Sequence, residues 1–337
     1  MVLLGLFLAE VGLHLHYYYR NGYWLFLGNK NFAVPYVSQV SDRRGYSLKK
    51  GFSDGVHTIN QEGFRGNHVD HNKPAICVIG DSVPYGAGVA DRGTFSMHLQ
   101  QMMEAEALPY SVLNGGVPSY NLRQSIDRWR FDIDGRFRCK VVIINAANDV
   151  SLADFYKQEW DKNITWAKHR FNVNAVRKSA MAFYLEAAMA EKNNKTEYSR
   201  EDVDRIMNQV MEEVQVGMRE MKSKNLKVLL MPVQPCYYQN KPLSSTESQV
   251  ACHGYRGYET LAKSWNYPIE KINQGLRSLA DAKDIDFFDS TQLLDGEIGR
   301  AEAFVDFIHF SDQGNKVIAR GIFLQLMKNK WLEPSPN

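Results

Sequence analysis

The sequence is short of the features that define several classes of protein. It has only 4 cysteines in 337 residues, and none of them forms a Cys-x-x-Cys pair or stands at metal-ligand spacing from a histidine. A structural zinc site is therefore not expected. The 40 basic and 38 acidic residues nearly cancel to a net charge of +2, so the cationic footprint of a nucleic-acid binder is missing as well. We expect neither a structural metal nor nucleic acid as a partner, and nothing in the composition indicates an oligomeric state.

The cysteines differ in their surroundings. Cys77 lies in an apolar run and is interpreted as a small, buried apolar residue. Cys236 and Cys252 bracket a polar loop and would form a disulfide if the compartment is oxidising. Whether these two pair is left open by the sequence.

No uninterrupted apolar run reaches the roughly 20 residues that a membrane-spanning helix needs. The stretch from Met1 to Leu15 is interrupted by Glu10 and leads into a group of tyrosines that resembles the aromatic belt of a membrane interface. A cleaved signal peptide is not predicted, because a basic start and a small-residue cleavage site are missing. Residues 1–28 are therefore predicted to be a membrane-anchor-like or interfacial segment. The alternatives are the tail of an anchor helix that begins upstream and an amphipathic segment packed on the domain. The apolar-then-aromatic order favours the anchor and an extracytoplasmic protein, in the periplasm or at the cell surface.

The rest of the chain predicts an α/β fold. Residues 29–73 are polar and turn-rich and are interpreted as an extended lead-in segment. Across residues 74–330, short apolar runs alternate with amphipathic helices, with insertions at about 151–198 and 232–265, and Pro268 is typical of the first turn of a helix. The runs that predict buried strands are Ala75–Ile79, Tyr110–Leu113, Val141–Ala146, Leu226–Met231 and Ile285–Phe288. This alternation predicts a flavodoxin-like three-layer α/β/α sandwich with a central five-stranded parallel sheet, in which ligands bind at the carboxyl ends of the strands.

A candidate nucleophile follows the first of these strands. Ser82 stands in the turn Gly80-Asp81-Ser82, where a strand runs into a helix and the serine is exposed at the carboxyl edge of the sheet. The backbone N–H of Ser82 is also suited to bind a developing oxyanion. An isolated Gly-Asp-Ser is more often a turn that caps a helix, so this motif alone is weak.

Two further segments follow neighbouring strands at the same edge. Asn114-Gly115-Gly116 ends the second strand, and Asn148 follows the third. The N–H of Gly116 and the side-chain amide of Asn148 are predicted to join the Ser82 N–H as an oxyanion hole, with Gly115 as the alternative to Gly116. Such a donor is worth about 3 kcal/mol of activation barrier.

The candidate base lies before the last helix. Asp306 and His309 are three residues apart, so their side chains lie on one side of a single turn. In this arrangement His309 accepts the Ser82 proton, and Asp306 fixes the imidazole tautomer.

Taken together, these blocks resemble the SGNH (GDSL-like) hydrolase superfamily. The matching blocks are Gly80-Asp81-Ser82, Asn114-Gly115-Gly116, Asn148-Asp149 and Asp306 to His309, in that order along the chain. The run Ile59 to Gly66 also looks like the lead-in of membrane-anchored bacterial members. The resemblance implies an esterase that needs no metal or organic cofactor, with Ser82, Asp306 and His309 as catalytic residues. Ala146 departs from the family pattern, which usually has glycine there.

The predicted function is a serine esterase that removes acyl groups, acetyl above all, from a polysaccharide, a glycoconjugate or another small ester. An O-acetyltransferase acting on sugar hydroxyls is the alternative, and a non-catalytic carbohydrate-binding protein is the third hypothesis. Aromatic residues of the two insertions would suit sugar stacking or an insertion core equally well; they are Trp160, Trp166, Tyr237, Tyr238, Tyr255 and Tyr258. The segment His68-Val69-Asp70-His71 is interpreted as a polar turn rather than a metal site.

Overall fold

A parallel sheet of five strands forms the centre of the protein in the computed structural model. The structure describes residues 2–21, 24, 38–41, 44–66, 68–145, 180–181, 199–236, 258–283, 285–290, 293–294 and 300–332. The sheet contains β3 (Ala75–Gly80), β4 (Ser111–Gly116), β5 (Cys139–Asn145), β6 (Lys227–Leu230) and β7 (Asp286–Phe287), in the order β4-β3-β5-β6-β7. All four neighbouring pairs run parallel. The five predicted strands and their parallel arrangement are confirmed.

Helices cover this sheet in two packed groups. The helices of the described residues are α1 (Val2–Asn21), α2 (Ser82–Tyr85), α3 (Phe95–Ala105), α4 (Leu122–Arg128), α5 (Arg200–Ser223), α6 (Tyr258–Lys283), α7 (Arg300–Ala303) and α8 (Asp312–Lys328). Helix α3 packs on α8, whereas α5 packs on both α4 and α6. The central strands β3 and β5 are buried between these groups, as the apolar runs predict. The predicted α/β/α sandwich is thereby confirmed.

Serine side chains cap two of the helices, and the predicted start of a third helix is wrong. The side chain of Ser199 accepts the N–H of Asp202 at the start of α5, and that of Ser311 accepts the N–H of Gly314 at the start of α8. The prediction that Pro268 lies in the first turn of its helix is wrong, because α6 begins at Tyr258 and holds Pro268 in its interior. The helix therefore takes up the end of the predicted insertion at 232–265, where composition suggests only polar loop.

The lead-in segment folds into defined structure rather than a simple extended strand. Strands β1 (Ser38–Ser41) and β2 (Gly45–Leu48) form an antiparallel hairpin. Tyr46 and Leu48 of β2 are buried in a small second core together with Ile59 and Tyr120. The described part of the segment therefore packs against the domain, beside β4 and the turn that contains Ser82 (the nucleophile turn).

A disulfide joins two neighbouring strands of the central sheet. Cys77 of β3 is bonded to Cys139 of β5, with their Cα atoms 5.9 Å apart. Cys77 is buried in the apolar core, as interpreted from the sequence, but it is bonded to a cysteine of the adjacent strand that lies 62 residues away in sequence, which the sequence interpretation missed. Cys236 is buried, and Cys252 lies outside the described residues, so their pairing stays a prediction.

The first helix presents apolar side chains to solvent. In α1 the side chains of Leu6, Phe7 and Leu8 are at least half exposed. Glu10, on the same helix, accepts hydrogen bonds from the backbone N–H groups of Ala180 and Met181. Among the described helices, none combines the length and the apolar character that crossing a bilayer requires.

Candidate active site

The nucleophile turn is shaped by a glycine and an aspartate. Gly80 ends β3 with φ of +150°, and a Cβ there would lie 1.7 Å from the carbonyl oxygen of Asn145, so no other residue fits. The buried side chain of Asp81 accepts the N–H of Val83 at 2.9 Å and caps the short helix α2. Ser82 is therefore held at the first position of α2, directly above the carboxyl end of the central strand.

A hydrogen-bonded chain runs from Ser82 to Asp306. The Nε2 atom of His309 lies 2.7 Å from Ser82 Oγ, and its Nδ1 atom lies 2.7 Å from Asp306 Oδ2. The other carboxylate oxygen of Asp306 accepts the backbone N–H groups of Ile308 (2.9 Å) and His309 (2.8 Å). These two bonds orient the carboxylate, so the three side chains predicted from widely separated blocks are brought into contact.

Asp306 and His309 shift each other's pKa. Burial lowers the pKa of His309, but the negative charge of Asp306 and its hydrogen bond, together with the charge of Asp81, raise that pKa above its usual 6.5. Burial raises the pKa of Asp306, yet the charge of His309 and the hydrogen bonds to the carboxylate bring it below 3.8. The carboxylate is ionised at neutral pH, and the imidazole is a stronger base than a free histidine.

The N–H of Gly116, predicted to point into the oxyanion hole, is already engaged. It donates to Oδ1 of Asn114 at 3.1 Å. Gly116 nevertheless needs to be glycine, because a Cβ there would lie 2.2 Å from the backbone nitrogen of Tyr85. Its observed role is thus to let β4 approach α2 closely.

The loop after β4 contains a second candidate donor that sequence reasoning missed. Ser119 has a positive φ of +65°, a region that favours glycine. The N–H groups of Val117 and Tyr120, on either side of it, donate to the carbonyls of Gly80 and Val117, and Pro118 has no N–H. Within the described part of the chain, neither Ser82 N–H nor Ser119 N–H faces a hydrogen-bond acceptor. In the sequence, this position is marked only by the proline that precedes Ser119.

Arg65 of the lead-in segment binds the backbone at the C-terminal end of α2, the short helix that begins with Ser82 (the nucleophile helix). Its side chain is 1% exposed and pairs with Asp91 at 2.9 Å. Its Nη atoms donate to the carbonyls of Tyr85 (2.8 Å), Gly86 (2.7 Å) and Val89 (2.7 Å), which follow the end of α2. The guanidinium also lies 4.3 Å from the centroid of the Tyr85 ring. Arg65 thus satisfies carbonyls that the short helix leaves unpaired.

Arg128 connects β4 with the lead-in segment in a similar way. From α4 it donates to the carbonyl of Gly115 (2.8 Å) and to the carbonyl of Gly63 in the lead-in segment (2.6 Å). Its third contact is Asp132, at 3.0 Å. Burial lowers the pKa of Arg128, and the negative charge of Asp132 opposes this shift. The lead-in segment is therefore tied both to the nucleophile helix and to the strand beside it.

A second Asp-x-x-His motif has the same local geometry. Asp54 Oδ1 accepts the N–H groups of Val56 (2.9 Å) and His57 (2.7 Å), and its Oδ2 lies 3.1 Å from His57 Nδ1. The His57 ring is fully buried and stacks near Tyr85, with centroids 6.0 Å apart. This pair holds the lead-in segment together through the contacts of Asp54 with the backbone and the ring of His57.

Some predicted site residues fall outside the described residues. They are Asn148, Asp149 and Ala146 of the third block, and the aromatic residues Trp160, Trp166, Tyr237, Tyr238 and Tyr255 of the insertions. Their roles stay predictions.

Comparison with known proteins finds similarity among solved structures only. A lipase/acylhydrolase from Enterococcus faecalis aligns over 78% of this chain and 100% of its own, with 15% identity and a TM-score of 0.48. An acetyl xylan esterase aligns over 75% of this chain and 99% of its own, with 14% identity and a TM-score of 0.47. A catalytic mutant of an acetylxylan esterase from Geobacillus stearothermophilus aligns over 77% of this chain and 96% of its own, with 15% identity and a TM-score of 0.45. No protein-family model matches the chain, and no curated protein matches it significantly. At these scores, the chemistry has to be argued from this chain's own residues.

Proposed function

We propose that the protein is a serine ester hydrolase of the SGNH type. The observation that carries this proposal is the placement of His309, whose two ring nitrogens lie 2.7 Å from Ser82 Oγ and 2.7 Å from Asp306 Oδ2. An ionised carboxylate, a basic imidazole and a hydroxyl in that order are the parts of a nucleophilic acyl-transfer site.

The proposed reaction passes through an acyl-enzyme. His309 Nε2 takes the hydroxyl proton as Ser82 Oγ attacks the ester carbonyl carbon, which gives a tetrahedral oxyanion. The intermediate collapses, the C–O bond to the alcohol breaks, and the alcohol leaves with the proton from His309. Water, deprotonated by the same imidazole, then attacks the acyl group and releases the acid and Ser82. The charge of Asp306 stabilises the imidazolium in both halves.

We further propose that Ser119 N–H, rather than Gly116 N–H, joins Ser82 N–H in binding the oxyanion, with Asn148 as the third donor. Ser82 N–H and Ser119 N–H, which follow neighbouring strands and have no acceptor among the described residues, support this assignment, whereas Gly116 N–H would have to leave Asn114. Replacing the amide at Ser119 by an ester, through the α-hydroxy acid analogue, should lower kcat about 10²- to 10³-fold. The same replacement at Gly116 is the matched control and should change kcat far less. Equal losses at both positions would rule out Ser119.

The substrate proposed is a short acyl ester, acetyl above all, on a polysaccharide or glycoconjugate. The support is the sequence resemblance and the aromatic residues of the insertions, whose rings would suit sugar faces. A series of p-nitrophenyl esters from acetyl to octanoyl, followed by acetylated saccharides, measures the preference. Adding a saccharide acceptor separates hydrolysis from transfer, because a transferase yields acylated saccharide and a hydrolase yields only free acid.

The direct test of the hydrolase proposal is p-nitrophenyl acetate turnover by the wild type, Ser82→Ala and His309→Ala. Both variants should lose at least about 10⁴-fold in kcat. His98→Ala is the matched control, since His98 also contacts an aspartate, Asp312, at 2.7 Å, whereas the histidine bonded to Ser82 is His309. Turnover by Ser82→Ala equal to that of the wild type would overturn the proposal.

We also propose that α1 docks the protein on a membrane surface outside the cytoplasm. Two observations support this: the exposed apolar side chains of α1, and the Cys77–Cys139 disulfide, which is typical of oxidising compartments. The full chain should co-sediment with neutral phosphatidylcholine vesicles, and Phe7→Asp should weaken this binding. Val216→Asp, at a 38% exposed apolar position of α5, should leave it unchanged. Equal binding by all three proteins would contradict docking through α1.

A further inference from the structure

Two histidines and a glutamate meet on the lead-in side of the molecule, apart from the active site. Nε2 of His71 lies 2.9 Å from Glu62 Oε1, and Nδ1 of His68 lies 3.4 Å from Glu62 Oε2. Ligand atoms of the three residues all lie within 4.8 Å of one another. Both imidazoles reach solvent, whereas the glutamate side chain is only 16% exposed. A solute can therefore reach the two imidazoles from solvent, while the largely buried carboxylate of Glu62 is held in place.

These distances fit a common metal ion. Nitrogen and oxygen ligands lie about 2.0–2.1 Å from zinc, so two of them are about 2.9–3.4 Å apart when the angle at the metal is between a right angle and a tetrahedral one. The two measured contacts, 2.9 Å and 3.4 Å, fall in that range. Oε2 of Glu62 is buried and makes no hydrogen bond, so it keeps an unused lone pair toward the cluster.

The surroundings of His71 orient its ring for coordination. Its Nδ1 lies 3.3 Å from the carbonyl oxygen of Arg136, and because a carbonyl only accepts, Nδ1 carries the proton. The carboxylate of Glu62 also only accepts, so Nε2 donates to Glu62 Oε1 at 2.9 Å, and a bound metal ion would take the place of that proton. The His71 ring is also stacked on Phe137, with centroids 4.7 Å apart and an interplanar angle of 19°. A ligand histidine held through its other nitrogen by a backbone carbonyl is the usual outer-shell arrangement of metal sites.

We propose that Glu62, His68 and His71 bind a divalent transition-metal ion of the zinc type, with water completing the coordination. Imidazole ligands select such ions over magnesium and calcium, which prefer all-oxygen sites. The proposal is independent of the ester hydrolase function.

Binding would join Glu62 to the last turn of the lead-in segment, directly before β3. Glu62 is next to Gly63, whose carbonyl Arg128 holds, and Arg128 also holds the carbonyl of Gly115 at 2.8 Å. A metal at Glu62 would therefore stabilise the segment that supports the active site. Arg136 opposes binding, since its Nη2 lies 3.8 Å from Glu62 Oε1 and places a positive charge near the metal position.

The experiment is calorimetric titration of the untagged full-length chain with Zn²⁺, in a His309→Ala background that removes the catalytic histidine as a competing ligand. One saturable site is expected. His71→Ala and Glu62→Gln should each weaken binding at least about tenfold, since even outer-shell changes cost that much. Arg136→Met should tighten binding, and Mg²⁺ should give no saturable heat.

His98→Ala is the matched control, because it removes an imidazole that contacts an aspartate elsewhere on the surface. Its Zn²⁺ affinity should equal that of the parent chain. A circular dichroism spectrum and unfolding midpoint for each variant separate lost ligands from lost fold. An absence of saturable Zn²⁺ binding, or equal weakening by His98→Ala and His71→Ala in folded proteins, would overturn the proposal and leave the cluster as ion pairs only.

Discussion

The two Asp-x-x-His motifs allow one substitution to be made twice, with opposite expected results for activity. Asp306→Asn keeps one oxygen, and only an oxygen can accept the backbone N–H groups of Ile308 and His309 at 2.9 Å and 2.8 Å. The new amide nitrogen is thereby turned toward His309 Nδ1, 2.7 Å from the original oxygen. An amide nitrogen donates, so Nδ1 has to accept, and the ring proton moves to Nε2.

That tautomer disables the base. With its proton on Nε2, His309 points a donor at Ser82 Oγ instead of the lone pair that would accept the hydroxyl proton. Fixing a triad histidine in the wrong tautomer lowers kcat about 10⁴-fold, or about 5.4 kcal/mol in activation free energy. Asp54→Asn undergoes the same local rearrangement, since Asp54 also accepts two backbone N–H groups and contacts a histidine Nδ1.

The assay is kcat for p-nitrophenyl acetate, with urea unfolding of each variant alongside. Asp54→Asn should keep kcat within a few-fold of the wild type, and the two variants should lose comparable stability, about 1–3 kcal/mol each. The reasoning is refuted if Asp306→Asn keeps kcat within tenfold, or if both variants lose activity equally while remaining folded.

Three further outcomes are expected. The acidic limb of the kcat/KM profile should have its midpoint above pH 6.5, because the neutral imidazole is the base and the pKa of His309 is raised; a midpoint below 6.5 would contradict this. Arg65→Lys should lower the free energy of unfolding by about 2–4 kcal/mol in urea titration, because an ammonium cannot replace all the buried contacts; Arg138→Lys, at an exposed site, should change it by about 0.5 kcal/mol or less. Gly116→Ala should reduce kcat about 10²-fold, because a Cβ placed 2.2 Å from Tyr85 N moves the nucleophile helix; an unchanged kcat would show that the strand relaxes instead.

Much of the catalytic centre could be predicted from sequence because parallel strands place their carboxyl ends together. Once Ser82 and Gly116 are assigned to the ends of neighbouring strands, the edge they share follows from topology alone. The contact between Ser82 and His309 spans 227 residues, and only the joint occurrence of the blocks suggested it. The motif Asp54 to His57 has identical spacing, but the histidine hydrogen-bonded to Ser82 is His309, so spacing alone does not identify the base.

The missed features depend on contacts that no local pattern encodes. The Cys77–Cys139 bond requires knowing that β3 and β5 are neighbours and that their register brings these two cysteines within reach, although Cys77 is opposite Val142 and Cys139 is opposite Ala75. The hydrogen bond from Gly116 N–H to Asn114 Oδ1 depends on the rotamer of Asn114, which a local sequence pattern does not determine. The role of Arg65 depends on carbonyls left free by a helix of 4 residues, whose length the sequence does not reveal.

The most direct test of the central claim is covalent labelling of the nucleophile. The intact chain, treated with a fluorophosphonate and measured by mass spectrometry, should gain one adduct that peptide mapping assigns to Ser82. His309→Ala should slow the labelling at least about 10²-fold, because the base no longer takes the hydroxyl proton. An adduct on another residue, or labelling of Ser82 at the same rate without His309, would contradict the proposed mechanism.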